Sequence, residues 1–306
     1  MGGRKAEDLM QTTLARNGPF VIGGLGGSAT RVYSSLLQHA GFYMGEQLNS
    51  SQDNLWVTLL LKRRYELLED PRRLKVVLGV LEKKLATGGR LSLPEHVALW
   101  RIALDVSRRG HSYKQEGRGS WAWGTALRIA RSTGPKDLDY RGWGFKEPNT
   151  HVFLKPLAER FPRLRFMYVV RHGLDMAFSG NVAQLHAWGQ RYGVRLPEDE
   201  ALMPAAQLDY WIAATEEALA SGRELLGDRF LVVRYDELTE DPDTQLAHIA
   251  RWLGLNGSCF DDPAARQWTR PSPSQGRYRN HDLSQFTSGQ LARVEEFGFD
   301  LGRARE

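Results

Sequence analysis

The segment that most narrowly limits the fold is Pro19-Phe20-Val21-Ile22-Gly23, a short apolar run that stops in the glycine cluster Gly23-Gly24-Leu25-Gly26-Gly27. A run this short, closed by glycine, reads as a buried strand entering a loop. Directly after it, Val32, Leu36, Leu37 and Ala40 recur at helical spacing, which predicts a helix over Ser28–Ala40. Strand, glycine loop and helix make a βα unit suited to an anion. Glycines let the backbone turn with positive φ and aim successive N–H groups at a phosphate, and the helix start adds its positive end. Gly26, Gly27, Ser28, Ala29, Thr30 and Arg31 are therefore candidate phosphate-binding residues. The same composition would serve a tight turn with no ligand. No Gly-Lys-Ser/Thr follows the glycines, so this is not a Walker A loop.

The rest of the chain alternates in the same way. From Asn54 to about Gly134 the periodicity is helical, with breaks at Asp70-Pro71, Gly88-Gly89-Arg90 and Gly110, which predicts an all-helical insertion. Strands are expected at Gly144–Lys146, Arg165–Val170 and Arg229–Arg234, and helices over His151–Phe161, Asp199–Leu226 and Pro242–Leu253. Strands alternating with helices imply an α/β fold with a parallel sheet covered on both faces, binding its ligands at the carboxyl ends of the strands. The 306 residues suit one large domain. Apolar runs stay far short of the ~20 residues of a membrane span, and Met1–Gly18 lacks the apolar stretch of a secretory signal. Cys259 is the sole cysteine, so no internal disulfide forms, and a reducing, cytoplasmic setting is expected. The net charge of +5 is spread over small basic clusters, Lys62–Arg64 among them. These read as solvated helix faces rather than a nucleic-acid surface, and they also suit a protein that holds a polyanionic nucleotide. The eight histidines and one cysteine show no metal-ligand spacing.

A second motif runs Tyr168-Val169-Val170-Arg171-His172-Gly173-Leu174-Asp175-Met176-Ala177-Phe178-Ser179. The strand delivers Arg171 to its carboxyl end. Asp175 is expected to cap the next helix, with Ser179 in its first turn, so that Arg171 and Ser179 converge on one phosphate. In the alternative reading, Arg171 simply pairs with Asp175.

Strand, Arg, three residues, Asp, three residues, Ser resembles the pattern by which sulfotransferases dependent on 3′-phosphoadenosine 5′-phosphosulfate (PAPS) hold the nucleotide's 3′-phosphate. The glycine loop is similar to that family's 5′-phosphosulfate loop, usually Pro-(Lys/Arg)-Ser-Gly-Thr-Thr. Val232-Val233-Arg234-Tyr235-Asp236-Glu237-Leu238, with Asp241-Pro242 and Trp252-Leu253-Gly254, resembles the family's Tyr-Glu-Asp-Leu…Pro…Phe-Leu-Gly segment. Ser274-Gln275-Gly276-Arg277-Tyr278 resembles its C-terminal Gly-x-Trp-Lys loop. Two departures stand out: Gly27 replaces the usual basic residue, and Ala29 stands where glycine is usual. Arg31 is a candidate to supply the missing charge.

The resemblance implies a single sulfotransferase domain over 1–306, a P-loop-type three-layer sandwich with a central parallel sheet and a helical insertion at about 54–134. It also implies PAPS as co-substrate and PAP as product. The loop would take the 5′-phosphosulfate, Arg171 and Ser179 the 3′-phosphate, and Tyr235 the neighbourhood of the adenine, with Arg277 closing over the nucleotide. Lys146 matches the position of the lysine that steadies the leaving oxygen, although Lys146-Glu147 could instead be a surface pair. The base that takes the acceptor's proton is Glu46, Glu147 or His151. The expected acceptor is a small molecule or carbohydrate bearing a hydroxyl or, secondarily, an amine, in metal-free in-line transfer. Tryptophans in or beside the insertion, such as Trp56, Trp121 and Trp123, could line its pocket or pack the core. A P-loop phosphotransferase and a non-catalytic nucleotide-binding module are the rival readings.

Overall fold

The computed structural model describes residues 17–62, 65–109, 120–135 and 140–302. The sequence readings of the N-terminal segment up to residue 16, of Arg63 and Arg64 and of the break at Gly110 lie outside them.

The first βα unit is β1 (Phe20–Gly24), its loop, and α1 (Thr30–His39). A two-residue strand, β2 (Phe42–Tyr43), precedes four described helices: α2 (Leu55–Leu60), α3 (Pro71–Glu82), α4 (Leu93–Arg109) and α5 (Trp121–Arg131). Then come β3 (Gly142–Lys146), α6 (Leu154–Arg160), β4 (Arg165–Val170), α7 (Gly173–Ala177), α8 (Ala183–Trp188) and α9 (Met203–Leu226). The chain continues through β5 (Phe230–Arg234), α10 (Tyr235–Glu240), α11 (Pro242–Leu253), α12 (Pro263–Arg266) and α13 (Ser288–Glu296). The strands form one central parallel sheet in the order β2-β3-β1-β4-β5, flanked by helices, so the α/β expectation holds. Phe20 stands opposite Gly144 and Ile22 opposite Lys146 in the β1–β3 register. A Cβ on Gly144 would lie 1.9 Å from the Phe20 carbonyl oxygen, so only glycine lets these strands pair.

Several helix ends follow directly from local chemistry. Asp70 and Asp241 cap α3 and α11 through the Arg73 and Thr244 N–H groups, each with proline at the first helical position, and Gly254 closes α11 at φ 74°. Some expected boundaries move. The first helix starts at Thr30 rather than Ser28, because Ala29 is left-handed (φ 65°). The long helix starts at Met203, since Asp199 caps a separate short turn, Glu200–Leu202.

The described residues fall into two compact units, each drawn from separated stretches of chain. The first gathers those of Met1–Gly24, Thr30–Tyr168 and Ser221–Leu231; the second gathers those of Leu25–Ala29, Val169–Ala220 and Val232–Glu306. Trp56, Trp143, Phe145 and Phe166 lie fully buried in the first unit, and Trp188, Trp211 and Phe260 in the second. Trp56 and Trp143 are thus core residues, each contributing on the order of 2–3 kcal/mol by burial. No described helix is long and apolar enough to cross a membrane.

Candidate functional site

In the second unit the loop and the Arg171 segment come together. Gly27 turns at φ 105°, a conformation closed to ordinary side chains, and a Cβ there would sit 3.2 Å from Met176 Cε. A basic side chain at this position is therefore excluded by the backbone. Ser28 is buried and its N–H donates to the Leu25 carbonyl at 3.0 Å. Arg171 Nη1 donates to the Gly27 carbonyl at 3.3 Å, which brings a guanidinium to the loop from β4. Trp211 Nε1 in turn donates to the Arg171 carbonyl at 3.1 Å and fixes the end of the strand.

Arg171 is 6% exposed, and its Nε is buried with no hydrogen-bond partner among the described residues. Its Nη2 donates to Ser274 O at 2.5 Å, Ser274 Oγ at 3.0 Å and Asp175 Oδ2 at 3.3 Å. The pair with Asp175 foreseen as the alternative is thus formed, but as one contact among several. Arg277 Nε reaches the same Ser274 oxygen at 3.1 Å, and its Nη1 donates to the Phe178 carbonyl at 3.4 Å. Desolvation and, next, the positive Arg171 hold the Arg277 guanidinium below its usual range. Two cations therefore share one neutral oxygen.

Two local expectations are corrected. The cap of α7 is His172, whose Nδ1 accepts from the Leu174 N–H, and not Asp175. Asp175 instead accepts from the Gly276 N–H at 2.8 Å and the Tyr278 N–H at 3.3 Å, which ties the C-terminal loop down. Ser179 lies beyond the helix, which ends at Ala177, rather than in its first turn. Its Oγ accepts from the Asn181 N–H at 3.2 Å. Tyr235 is buried, with its ring 5.8 Å from the Arg171 guanidinium and its hydroxyl on the Arg270 carbonyl.

The remaining candidates belong to the first unit. Thr30 is buried and Arg31 is exposed in the first turn of α1. Glu46 is exposed just after β2 and accepts from Ser132 Oγ at 3.1 Å. Lys146 ends β3 and Glu147 follows it, at 2% and 1% exposure, so the surface-pair reading is wrong. Lys146 Nζ pairs with Asp53 and donates to the Ser51 carbonyl at 3.0 Å, leaving one of its three donors unassigned. Glu147 pairs with Lys62 at 2.6 Å and accepts from the Thr58 hydroxyl. Burial pushes the Lys146 ammonium down and the Glu147 carboxyl up, while Asp53 and Lys62 respectively oppose those shifts. His151 is buried with its ring edge-on to Tyr168. Sequence reasoning missed Asp53, Thr58 and Lys62, which only the fold brings to Lys146 and Glu147.

Residues 19–262 match the model of the Sulfotransferase family. No curated protein matches the chain. Among solved structures it is similar to the sulfotransferase domain of the Synechococcus PCC 7002 olefin synthase, at 17% identity and a TM-score of 0.46, over 92% of this chain and 94% of that one. It is also similar to a sulfotransferase from Mycobacterium tuberculosis (18% identity, TM-score 0.45, 96% of this chain and 80% of that one). A third similar structure is retinol dehydratase in a complex with retinol and PAP, at 11% identity and a TM-score of 0.40, over 99% of this chain and 87% of that one.

Proposed function

Because the chain belongs to the sulfotransferase family, we propose that it takes a sulfuryl group from PAPS and passes it in line to a hydroxyl or, secondarily, an amine. The observation that carries this reading is the convergence of Arg171 and Arg277 on the Ser274 carbonyl oxygen, beside a buried Arg171 Nε without a partner among the described residues. Two guanidiniums around a neutral acceptor repel each other, and an anion taken up between them turns that repulsion into charge-assisted hydrogen bonds. The chemistry of the donors fits a phosphate.

Arg171, Arg277 and Ser179 hold the 3′-phosphate in this proposal, Gly26 to Arg31 the 5′-phosphosulfate, and Tyr235 borders the adenine. Bound PAPS supplies the activated sulfuryl group. Glu46 takes the acceptor's proton, because it is the exposed carboxylate of the three candidate bases. Glu147, buried and held by Lys62 and Thr58, positions the end of β3. The free donor of Lys146 steadies the leaving oxygen. No metal has a role, and the whole chain acts as a single sulfotransferase domain in the cytoplasm, with residues 54–134 as its helical insertion.

Thermal unfolding with PAP, with ATP plus magnesium and with neither tests the nucleotide assignment. At ~100 times its dissociation constant, PAP adds roughly 2.7 kcal/mol of stability. The expected result is a PAP-specific shift that vanishes in Arg171→Ala. A larger shift with ATP and magnesium would hand the chain to the phosphotransferase reading.

A further inference from the structure

We propose that the outward faces of α4 and α5, both in the first unit, form a docking surface for an anionic phospholipid bilayer, on which the protein lies without spanning it. The inference is independent of the nucleotide assignment.

The apolar pattern supplies the first argument. α4 buries Leu99, Ile102, Ala103 and Val106, the ordinary inner stripe of an amphipathic helix. It also carries a second apolar stripe, Leu93, Val97, Trp100 and Leu104, whose spacing of four, three and four residues puts all of them on one side. Leu93 is 77% exposed, Val97 41% and Leu104 36%. α5 repeats the arrangement, burying Ala122, Ala126 and Ile129 while Trp123 and Leu127 stay exposed one turn apart. The Trp100 and Trp123 rings stack at 5.8 Å and join the two stripes. Among the described residues, the other large apolar side chains so exposed are Leu196 and Leu202, and neither lies on these helices. A single exposed leucine needs no explanation. An aligned set on two neighbouring helices marks a surface that something covers.

Charge says what covers it. Arg101 and Arg108, seven residues apart, flank the outer stripe of α4, and Arg128 and Arg131 follow Leu127 on α5. All four are exposed and form no ion pair with a described residue. The acidic residues of the two helices are already engaged: buried Glu95 pairs with Lys83 at 2.7 Å, and Asp105 with Arg109 at 3.1 Å. An apolar, indole-bearing stripe between unpaired arginines suits a helix pair lying in an anionic headgroup layer, where indoles sit at the level of the headgroups. A second copy of the chain fits worse, because a two-fold pairing sets these arginines against their own counterparts. A partner helix calls for an open furrow, and the stacked indoles bridge α4 and α5 instead.

Sedimentation of the full chain with vesicles of phosphatidylcholine alone, and of about two parts phosphatidylcholine to one of phosphatidylserine, tests this. The anionic vesicles are expected to bind at least about tenfold more tightly than the neutral ones. An arginine near an anionic surface is worth about fivefold in affinity, so Arg101→Gln/Arg108→Gln is expected to lose about 25-fold. Leu93→Ser/Val97→Ser is expected to lose at least about tenfold, through apolar area no longer buried in the lipid. Leu202→Ser, at an exposed leucine away from the stripe, keeps the parent's affinity. All these changes fall on the surface, and unchanged melting temperatures separate lost docking from lost folding. The proposal falls if neither vesicle binds, if the neutral vesicles bind equally well, or if both double variants bind as the parent does. It falls equally if sedimentation velocity without lipid reveals a dimer that Leu93→Ser/Val97→Ser dissolves.

Discussion

Ala29 holds a left-handed backbone at φ 65° without the freedom of glycine. That conformation costs an alanine roughly 1–2 kcal/mol, part of which glycine gives back through its more flexible unfolded chain. Ala29→Gly is expected to stabilise the protein by about 0.5–1 kcal/mol, read from the midpoint of urea unfolding. His172 answers to pH. Burial lowers its imidazole below the ordinary 6.5, and Arg279 pushes the same way, against the Asp300 carbonyl, Asp236 and Asp175. The folded ring must stay neutral at Nδ1 to accept the Leu174 N–H, which leaves Nε2–H to donate to the Asp300 carbonyl at 2.8 Å. The unfolded chain binds the proton more readily. Stability present above pH 6.5 is therefore lost as the pH falls below it. Asp236, raised by burial, works in the opposite direction and favours the fold at low pH. Melting temperatures between pH 7.5 and 5 should fall, and His172→Asn, which keeps an acceptor at the cap, should flatten that slope. An unchanged slope would assign the loss to other groups. The sequence placed Arg171 at the end of its strand correctly. It misassigned the cap because Asp175 and His172 are both plausible until the exact end of β4 is known.

At the scale of elements, α2 depends on Asn54, which is fully buried. Its Oδ1 accepts from the Trp56 and Val57 N–H groups at 3.0 and 3.2 Å, and its Nδ2 donates to the Met44 carbonyl at 2.9 Å. Asn54→Ala removes the cap and orphans a buried carbonyl, so a loss of about 2–4 kcal/mol in chemical unfolding is expected. Asn54→Asp keeps the cap but sets a buried carboxylate against the Met44 carbonyl, so it should lose at least as much. Elements with strong local signals were legible in advance. β4 and α11 match their expected spans because a run of aromatic and β-branched residues and an Asp-Pro…Gly frame announce them. The two-residue β2 carries too little pattern to be read. The pairing of Lys146 with Asp53 joins residues far apart in sequence, and no local pattern records it.

At the scale of the whole molecule, the PAP assignment proposed above implies that the net charge of +5 draws the anionic nucleotide at long range, while the buried Arg171 acts only at contact. Salt screens the first effect and barely touches the second. Between 50 and 500 mM NaCl, stopped-flow measurements should show PAP association slowing by roughly tenfold while dissociation changes by less than about twofold. An equal effect on both rates would place the attraction inside the site. Composition made this basic balance visible from the start. It could not give the distribution of charge, because pairing neutralises some cations and leaves Arg128 and Arg131 exposed with no ion pair among the described residues.

The interleaved charges of Asp53, Lys146, Glu147 and Lys62 also constrain how such a chain can diverge. The four sum to zero, and Lys62 lies 3.9 Å from Asp53 as well as 2.6 Å from Glu147. Losing any one leaves an odd charge in a dry interior, at about 3–5 kcal/mol, set against a total stability on the order of 5–15 kcal/mol. A lineage that drops Glu147 must therefore drop Lys62 almost at once. In a collection of drifting descendants these positions would change as couples, and a half-exchanged couple would be rare even where either completed exchange is harmless.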